Sequence, residues 1–133
     1  MSAGITVRLA TSQDAEWISA TLRDAFAEFE ALYTPAGFRA TTPTASEIEG
    51  RFAEGPIWVA ESDGKVVGTV SAVPRGGAEL YIRSMAVRPS AQGQRLAASL
   101  LHTVEAFAAD HHYRRLVLST TPFLLRAIQL YQA

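Results

Sequence analysis

The chain has 133 residues, of which 48% are hydrophobic and 19% charged, and its net charge at pH 7 is -1. This length and composition are typical of a single globular domain over residues 1–133, and the low charge argues against partners such as nucleic acid or an anionic membrane. The absence of cysteine excludes disulfides, thiolate metal sites and cysteine nucleophiles. With no apolar run of about 18 residues and no signal-like start, we expect a cytoplasmic protein.

The beginning of the chain predicts a strand followed by a long helix. Apolar and polar residues alternate from Ile5 to Leu9, as in a half-buried strand. Thr11 or Ser12 caps the helix, whose apolar stripe extends as far as Tyr33. The stripe consists of Ile18, Leu22, Ala25, Phe26, Phe29 and Leu32.

A loop and a short helix are predicted next. Pro35 and Gly37 break the long helix, and residues 38–43 read as loop. Thr44 and Glu47 have the spacing of a capping box, which starts a short second helix.

Three strands joined by tight turns are predicted after this helix. Residues 57–60 and 65–73 are joined by a hairpin turn at Asp63-Gly64, and the turn at 74–77 leads into a strand over 79–88. Pro89 ends this third strand, since proline cannot donate to a sheet ladder. Strict alternation places Leu80, Ile82 and Ser84 on one face and Tyr81, Arg83 and Met85 on the other.

The turn and helix that follow Pro89 have the features of an anion site. A helix from about Gln92 to His111 is predicted by apolar residues at helical spacing, namely Leu96, Leu100, Val104 and Phe107. No acidic residue occurs from Val87 to His102. Because the first amides of a helix lack partners within it and its dipole favours negative charge there, this helix start can receive an anion.

The end of the chain predicts a strand over residues 114–119 and a last helix that begins near Pro122. The predicted order is therefore β-α-α-β-β-β-α-β-α, an α/β fold with a mixed sheet and helices on both faces.

The segment Gln92-Gly93-Gln94-Arg95-Leu96-Ala97 resembles the Arg/Gln-x-x-Gly-x-Gly/Ala signature of the GNAT superfamily of N-acetyltransferases. The resemblance implies the GNAT fold, with acetyl-coenzyme A as cosubstrate and no metal. It implies that the pantetheine arm lies along the strand at Met85, Ala86 and Val87. The pyrophosphate would be held by the turn and helix start, that is by Gln92, Gly93, Gln94, Arg95, Leu96, Ala97 and Ala98.

Arg95 departs from the signature, which has glycine there. A position with positive φ would make arginine costly, whereas a helical position would tolerate it and place a guanidinium near a phosphate. Of these two alternatives we favour the helical one.

Ala127 to Tyr131 also resembles the family, whose last helix carries a tyrosine that acts as general acid. The resemblance assigns this role to Tyr131, because a phenol is protonated at neutral pH and can donate to a thiolate. The alternative is an amphipathic residue of a terminal helix. Glu79 is the candidate base, with a solvated strand-edge carboxylate as its alternative. Water held near residues 119–121 is a second candidate for the base.

Two further strands follow this tyrosine in the family, and the sequence ends at Ala133 before them. A C-terminally truncated fold is therefore expected. A shortened copy, an incomplete gene product and a sheet edge completed by another subunit, as in a homodimer, stay open as explanations.

The resemblance implies an N-acetyltransferase that acts on a primary amine of a small molecule or peptide. Tyr33 and Phe38 are the better candidates for lining an acceptor cleft. The alternative is a non-catalytic module that binds an acyl-coenzyme A or a partner protein. Arg95, the missing strands and Leu124, which stands where the family often has asparagine, favour this alternative.

Overall fold

A mixed five-stranded sheet forms the centre of the computed structural model, which describes residues 5–92 and 95–118. The strands are β1 (Ile5–Leu9), β2 (Ile57–Ser62), β3 (Lys65–Arg75), β4 (Glu79–Val87) and β5 (Arg115–Leu118). They lie side by side in chain order. Strands β1 to β4 pair antiparallel, and β4 pairs with β5 in parallel. A parallel neighbour requires a crossover connection, which the helix after β4 provides.

Helices cover both faces of the sheet. The described ones are α1 (Ala15–Phe26), α2 (Pro35–Thr41), α3 (Ala45–Arg51) and α4 (Leu96–Asp110). The core on the α4 face includes Leu96, Leu100 and Val104 against Val70, Leu80 and Ile82. The core on the opposite face includes Ile18, Leu22 and Ile48 against Ile57, Val59 and Ala86. This arrangement confirms the predicted α/β fold with a mixed sheet between helical layers.

Several local signals in the sequence form the structures that they predict. The Glu47 N–H donates to the Thr44 hydroxyl at 3.2 Å, and the Thr44 N–H donates to the Glu47 carboxylate at 2.8 Å. This pair of bonds is the capping box at the start of α3. Asp63 and Gly64 both have positive φ, 55° and 77°, as a tight hairpin between β2 and β3 requires.

The prediction for the segment between α1 and α3 is wrong. Helix α1 ends at Phe26, and 3-10 turns follow it over Ala27–Leu32. Most of the expected loop at 38–43 belongs to helix α2. Pro35 begins this helix instead of breaking one, because a proline in the first turn lacks only an N–H that the helix does not use. The Thr34 hydroxyl accepts a hydrogen bond from the Gly37 N–H at 2.9 Å and caps it.

An ion cluster around Arg8 ties the start of α1 to the first two strands. Arg8 donates to both oxygens of Asp14, at 2.8 and 2.9 Å, and to Glu61 of β2 at 2.9 Å. The same Asp14 carboxylate accepts the Thr11 N–H at 2.8 Å. Hydrogen bonding to Arg8 is the main cause that lowers the pKa of Asp14 below its ordinary value.

Replacing Asp14 by asparagine tests this cluster. Asp14→Asn removes charge-assisted bonds to a partly exposed arginine, so we expect it to lower the free energy of unfolding by about 1–2 kcal/mol at pH 7. Since the folded-state pKa of Asp14 is depressed, its contribution is present above the unfolded-state pKa of about 4 and is lost as the pH falls further. Urea unfolding at several pH values should show the wild-type advantage shrinking below about pH 4. A difference that stays constant down to pH 2 would contradict the cluster's role.

Candidate functional site

Strand β4 contains a bulge at Ser84, where an extra residue enters the strand. Thr69 of β3 pairs with Ala86, whereas Ser71 pairs with Arg83. An advance of two residues on β3 is therefore matched by an advance of three residues on β4. Ser84 has a φ of 58°, a backbone conformation that few non-glycine residues adopt.

The bulge overturns the strict alternation expected for this strand. Met85 and Val87 pack against the core on the α4 face, together with Leu80 and Ile82, whereas Ala86 joins the core on the opposite face. The prediction that Met85 faces away from Leu80 and Ile82 is therefore wrong. The cause is the extra residue, because it moves every later side chain to the other face.

The second half of β4 has a neighbouring strand on one side only in the described part of the chain. Pairing with β5 extends from Glu79↔Arg115 to Ile82↔Leu118, and residues 83–87 lie beyond it. On the other side, β3 pairs with β4 as far as Gly68↔Val87. Backbone groups on such an edge can bind an extended ligand as an added strand. This edge includes the candidate residues Met85, Ala86 and Val87.

The start of α4 lies a short turn after this edge. The Arg88 N–H donates to the Val67 carbonyl at 2.8 Å, and the short 3-10 turn Pro89–Ala91 follows. Helix α4 begins at Leu96, has no acidic residue in its first turn and has no side-chain cap. The amides of Leu96, Ala97 and Ala98 are the ones that a helix leaves without internal partners. An anion placed here would meet both these donors and the helix dipole.

Arg95 precedes α4 in a left-handed conformation, with φ 60° and ψ 24°. The favoured expectation of a helical Arg95 is therefore wrong, and the alternative with positive φ applies. The physical reason is that Arg95 is the residue before the first helical turn, a position whose backbone angles lie outside the helix. Its side chain is exposed, and its carbonyl accepts the Ser99 N–H at 3.0 Å as the first bond of the helix.

The structure places Glu79 at the beginning of β4, far from the helix start. Its carboxylate forms an ion pair with Arg115 of β5. Glu79 and Ser84 are five positions apart, which is about 16 Å along a strand. Gly93, Gln94, residues 119–121 and Tyr131 lie outside the described residues. The structure thus brings together the β4 edge and the first turn of α4, and Glu79 is not next to them.

A cavity of about 520 Å³ lies between the end of α1, α2 and the start of α3. Tyr33 and Phe38 line it, with their ring centroids 6.2 Å apart, and Arg23, Arg39 and Glu30 contribute charged groups. The prediction that Tyr33 and Phe38 line a cleft is confirmed. Its use by an acceptor stays a prediction.

Sequence reasoning missed a contact that holds the bulge from the α3 side. Arg51, at the end of α3, donates from Nη1 to the Ser84 hydroxyl at 3.0 Å. The neighbouring Arg83 donates to Glu54 at 2.7 Å. Arg51 and Ser84 are 33 positions apart, and no motif connects them.

Neither a candidate metal site nor a membrane-spanning helix is found in residues 5–92 and 95–118. Over these ranges there is no group of three or more histidine and carboxylate side chains arranged to hold a metal ion. The helices described there also lack the length and apolar character that crossing a membrane requires.

Comparison with known families identifies the fold family. The model of the Acetyltransferase (GNAT) family matches residues 18–133. The chain belongs to this family. The β4 edge at Met85–Val87 and the start of α4 thus belong to a GNAT domain.

Two curated mammalian proteins are similar to this GNAT domain. The probable N-acetyltransferase family 8 member 5 of Mus musculus is 40% identical over 86 residues, which are 61% of this chain and 38% of that protein. N-acetyltransferase 8B of Homo sapiens is 41% identical over 82 residues, which are 58% of this chain and 36% of that protein. The matched region thus spans less than half the length of these relatives.

Solved structures share the GNAT fold over nearly the whole chain. PaiA N-acetyltransferase from Thermoplasma acidophilum, in complex with coenzyme A, has a TM-score of 0.85 at 11% identity and covers 97% of this chain and 87% of its own. An N-acetyltransferase from Staphylococcus aureus Mu50 has a TM-score of 0.80 at 26% identity, covering 98% and 81%. At 11% identity, the first likeness shows the fold alone.

A pair of substitutions at Arg95 tests its left-handed conformation. Glycine adopts positive φ without a Cβ clash and alanine does not, so Arg95→Gly should unfold with a free energy about 1 kcal/mol higher than Arg95→Ala. Both variants lose the same guanidinium, which makes each the control for the other. Thermal and urea unfolding measure the difference. Equal stability, or an alanine variant that is more stable, would place Arg95 in the helix instead.

Proposed function

We propose that the chain is an acetyl-coenzyme A-dependent N-acetyltransferase that acts on a primary amine. The observation that carries the proposal is the juxtaposition of the β4 edge at Met85–Val87, which has a neighbouring strand on one side only within residues 5–92 and 95–118, with the acid-free first turn of α4. Membership of the GNAT family supports it. So does the coenzyme A complex of the similar Thermoplasma acidophilum protein, which shares the fold.

The proposed cosubstrate site divides into two parts that suit its chemistry. The backbone of Met85, Ala86 and Val87 binds the amide-containing pantetheine arm by strand addition. The first amides of α4, at Leu96, Ala97 and Ala98, bind the pyrophosphate together with the turn at Gln92, Gly93, Gln94 and Arg95. The residues present fit the group, because neither the first turn of α4 nor the turn before it carries a carboxylate.

Transfer requires an amine nitrogen to replace sulfur on the acetyl carbonyl carbon. Acetyl-coenzyme A supplies the activated thioester. Backbone amides at the β4 edge orient the carbonyl and stabilise the negative charge that develops on its oxygen. In this proposal Tyr131 gives its phenolic proton to the departing sulfur, and the acceptor nitrogen loses a proton to a base. Glu79, about 16 Å from the bulge, serves as that base only through intervening water.

A carboxylate added to the first turn of α4 is expected to change the affinity for coenzyme A and the stability of the fold in opposite directions. Ala98→Glu places negative charge where the helix dipole favours it, so the free energy of unfolding should rise by about 0.3–1 kcal/mol relative to Ala98→Gln. The same charge repels a pyrophosphate, so we expect the affinity for coenzyme A to fall at least about tenfold relative to Ala98→Gln. Calorimetry and urea unfolding measure the two effects. An Ala98→Glu variant that binds coenzyme A as well as Ala98→Gln would overturn the proposed phosphate position.

Removing one hydroxyl tests the proposed general acid. Tyr131→Phe should lower kcat by about 10²–10⁴-fold and leave the dissociation constant for acetyl-coenzyme A within about twofold, because the hydroxyl acts only in proton transfer. Tyr113→Phe is the matched control, since the Tyr113 ring stacks on Phe107 and phenylalanine keeps that contact. Thiol release across a panel of primary amines gives the rate.

Each outcome of that assay has a distinct meaning. Full turnover by Tyr131→Phe would remove the acid role but keep the enzyme. Binding of acetyl-coenzyme A without thiol release from any amine would identify the alternative, a non-catalytic module. Absence of binding to the folded chain would defeat both.

A further inference from the structure

Two arginines from separate stretches of the chain meet beside the bulge of β4. Arg51 comes from the last turn of α3, and Arg83 is the strand residue just before Ser84. Arg51 donates to the Ser84 hydroxyl at 3.0 Å, and Arg83 donates to the Glu54 carboxylate at 2.7 Å. Both side chains are partly buried on the face of the sheet that α4 does not cover.

The positive charge of this pair is incompletely balanced within the described residues. Glu54 pairs with Arg83, whereas Arg51 has no carboxylate within 4.0 Å there and donates to a neutral hydroxyl. The charges of Glu54 and, less strongly, of Glu47 attract Arg51 without a direct ion pair, and the Glu47 carboxylate itself pairs with Arg39 at 2.9 Å. Burial, and then the charge of Arg83, lower the pKa of Arg51 from its ordinary value.

One further donor at this position lacks a partner among the described residues. The Nε–H of Arg83 is buried and forms no hydrogen bond with the described residues. Buried donors are rarely left without a partner, and such an exception points to a group that arrives with a ligand or solvent. The two guanidinium groups carry one more positive charge than the directly paired carboxylate balances. A single added negative charge is therefore stabilised at this position.

The two arginines lie closer along the chain to the proposed thioester position than to the proposed phosphate position. Ser84 directly precedes Met85–Val87, the edge proposed for the pantetheine arm, and α4 packs on the other face of that edge. The phosphates are proposed to bind several residues further on, at the start of α4. Arg51 therefore lies next to the proposed thioester position, on the face of the sheet opposite α4.

We propose that Arg51, supported by Arg83, binds a carboxylate of the acceptor, so that the preferred acceptors are amines with a carboxylate next to the amino group. This proposal rests on the N-acetyltransferase function and names its substrate class. The planar guanidinium matches a carboxylate in a two-pronged hydrogen bond, and one negative charge balances the excess of the pair. A doubly charged phosphate would bring more negative charge than the excess positive charge of the pair.

Matched acceptors test the proposal. For each of several α-amino acids, kcat/KM is compared with that of the corresponding α-carboxamide, which has the same side chain and no negative charge. The carboxamide amine is the less basic and so the more available at pH 7, which biases the assay against the proposal. We expect the wild type to prefer the carboxylate by at least about tenfold, as charge-assisted hydrogen bonds provide.

Variants then assign the preference to the arginines. Arg51→Gln should reduce the ratio of the two kcat/KM values at least about tenfold, Arg51→Lys should reduce it less, and Arg83→Gln should also reduce it. Lys65→Gln changes the same charge at the distant β2–β3 hairpin and should leave the ratio unchanged. Unchanged coenzyme A affinity shows that the variants are folded.

A binding measurement makes the result independent of turnover. N-acetylamino acids and their carboxamides, the products of the two reactions, are titrated into protein saturated with coenzyme A. Preferential binding of the acid that disappears in Arg51→Gln supports the carboxylate site even if no amine is acetylated, in which case only the proposed activity fails. Turnover of amines with no preference for the carboxylate, or a preference that survives Arg51→Gln, would overturn the site and leave the proposed activity standing. A phosphonate analogue that binds more tightly than the carboxylate would reassign the ligand.

Discussion

The bulge of β4 is the local constraint on which the rest of the site depends. By inserting one residue at Ser84, it turns Met85 and Val87 towards α4 and Ala86 towards the opposite core. A non-glycine residue with positive φ costs on the order of 1 kcal/mol, which packing on both faces and the Arg51–Ser84 hydrogen bond help to offset. Among the described residues, the first half of this strand pairs with β3 and β5, and the second half pairs with β3 alone.

Groups that attract an anion lie on both sides of this edge. The start of α4 offers backbone donors and has no acidic residue in its first turn, and Arg51 and Arg83 lie on the α3 side. In the proposed reaction these two regions hold different molecules, the coenzyme through its phosphates and the acceptor through its carboxylate. Anion binding on both sides would bring the amine and the thioester together at the bulge, which is how positioning increases rate.

Signals that act over a few residues were readable from the sequence. The Thr44–Glu47 capping box, the Asp63-Gly64 hairpin and the buried stripe of α4 are confirmed because each depends on neighbours within one or two turns. Two of the wrong predictions also have local causes. Pro35 has the pattern of a helix breaker but begins a helix, and Arg95 fits a helical position but precedes the first turn.

The order of the five strands, the mixed α/β class and a helix start suited to an anion follow from the sequence alone, because periodicity, caps and turn residues are local properties. Only the tertiary structure decided which face of the sheet each β4 residue after Ser84 occupies, since serine has no intrinsic preference for a positive φ. It also decided the Arg51–Ser84 contact, which joins residues 33 positions apart and exists because α3 packs over the bulge. The separation of Glu79 from the edge likewise follows from the length of the strand between them.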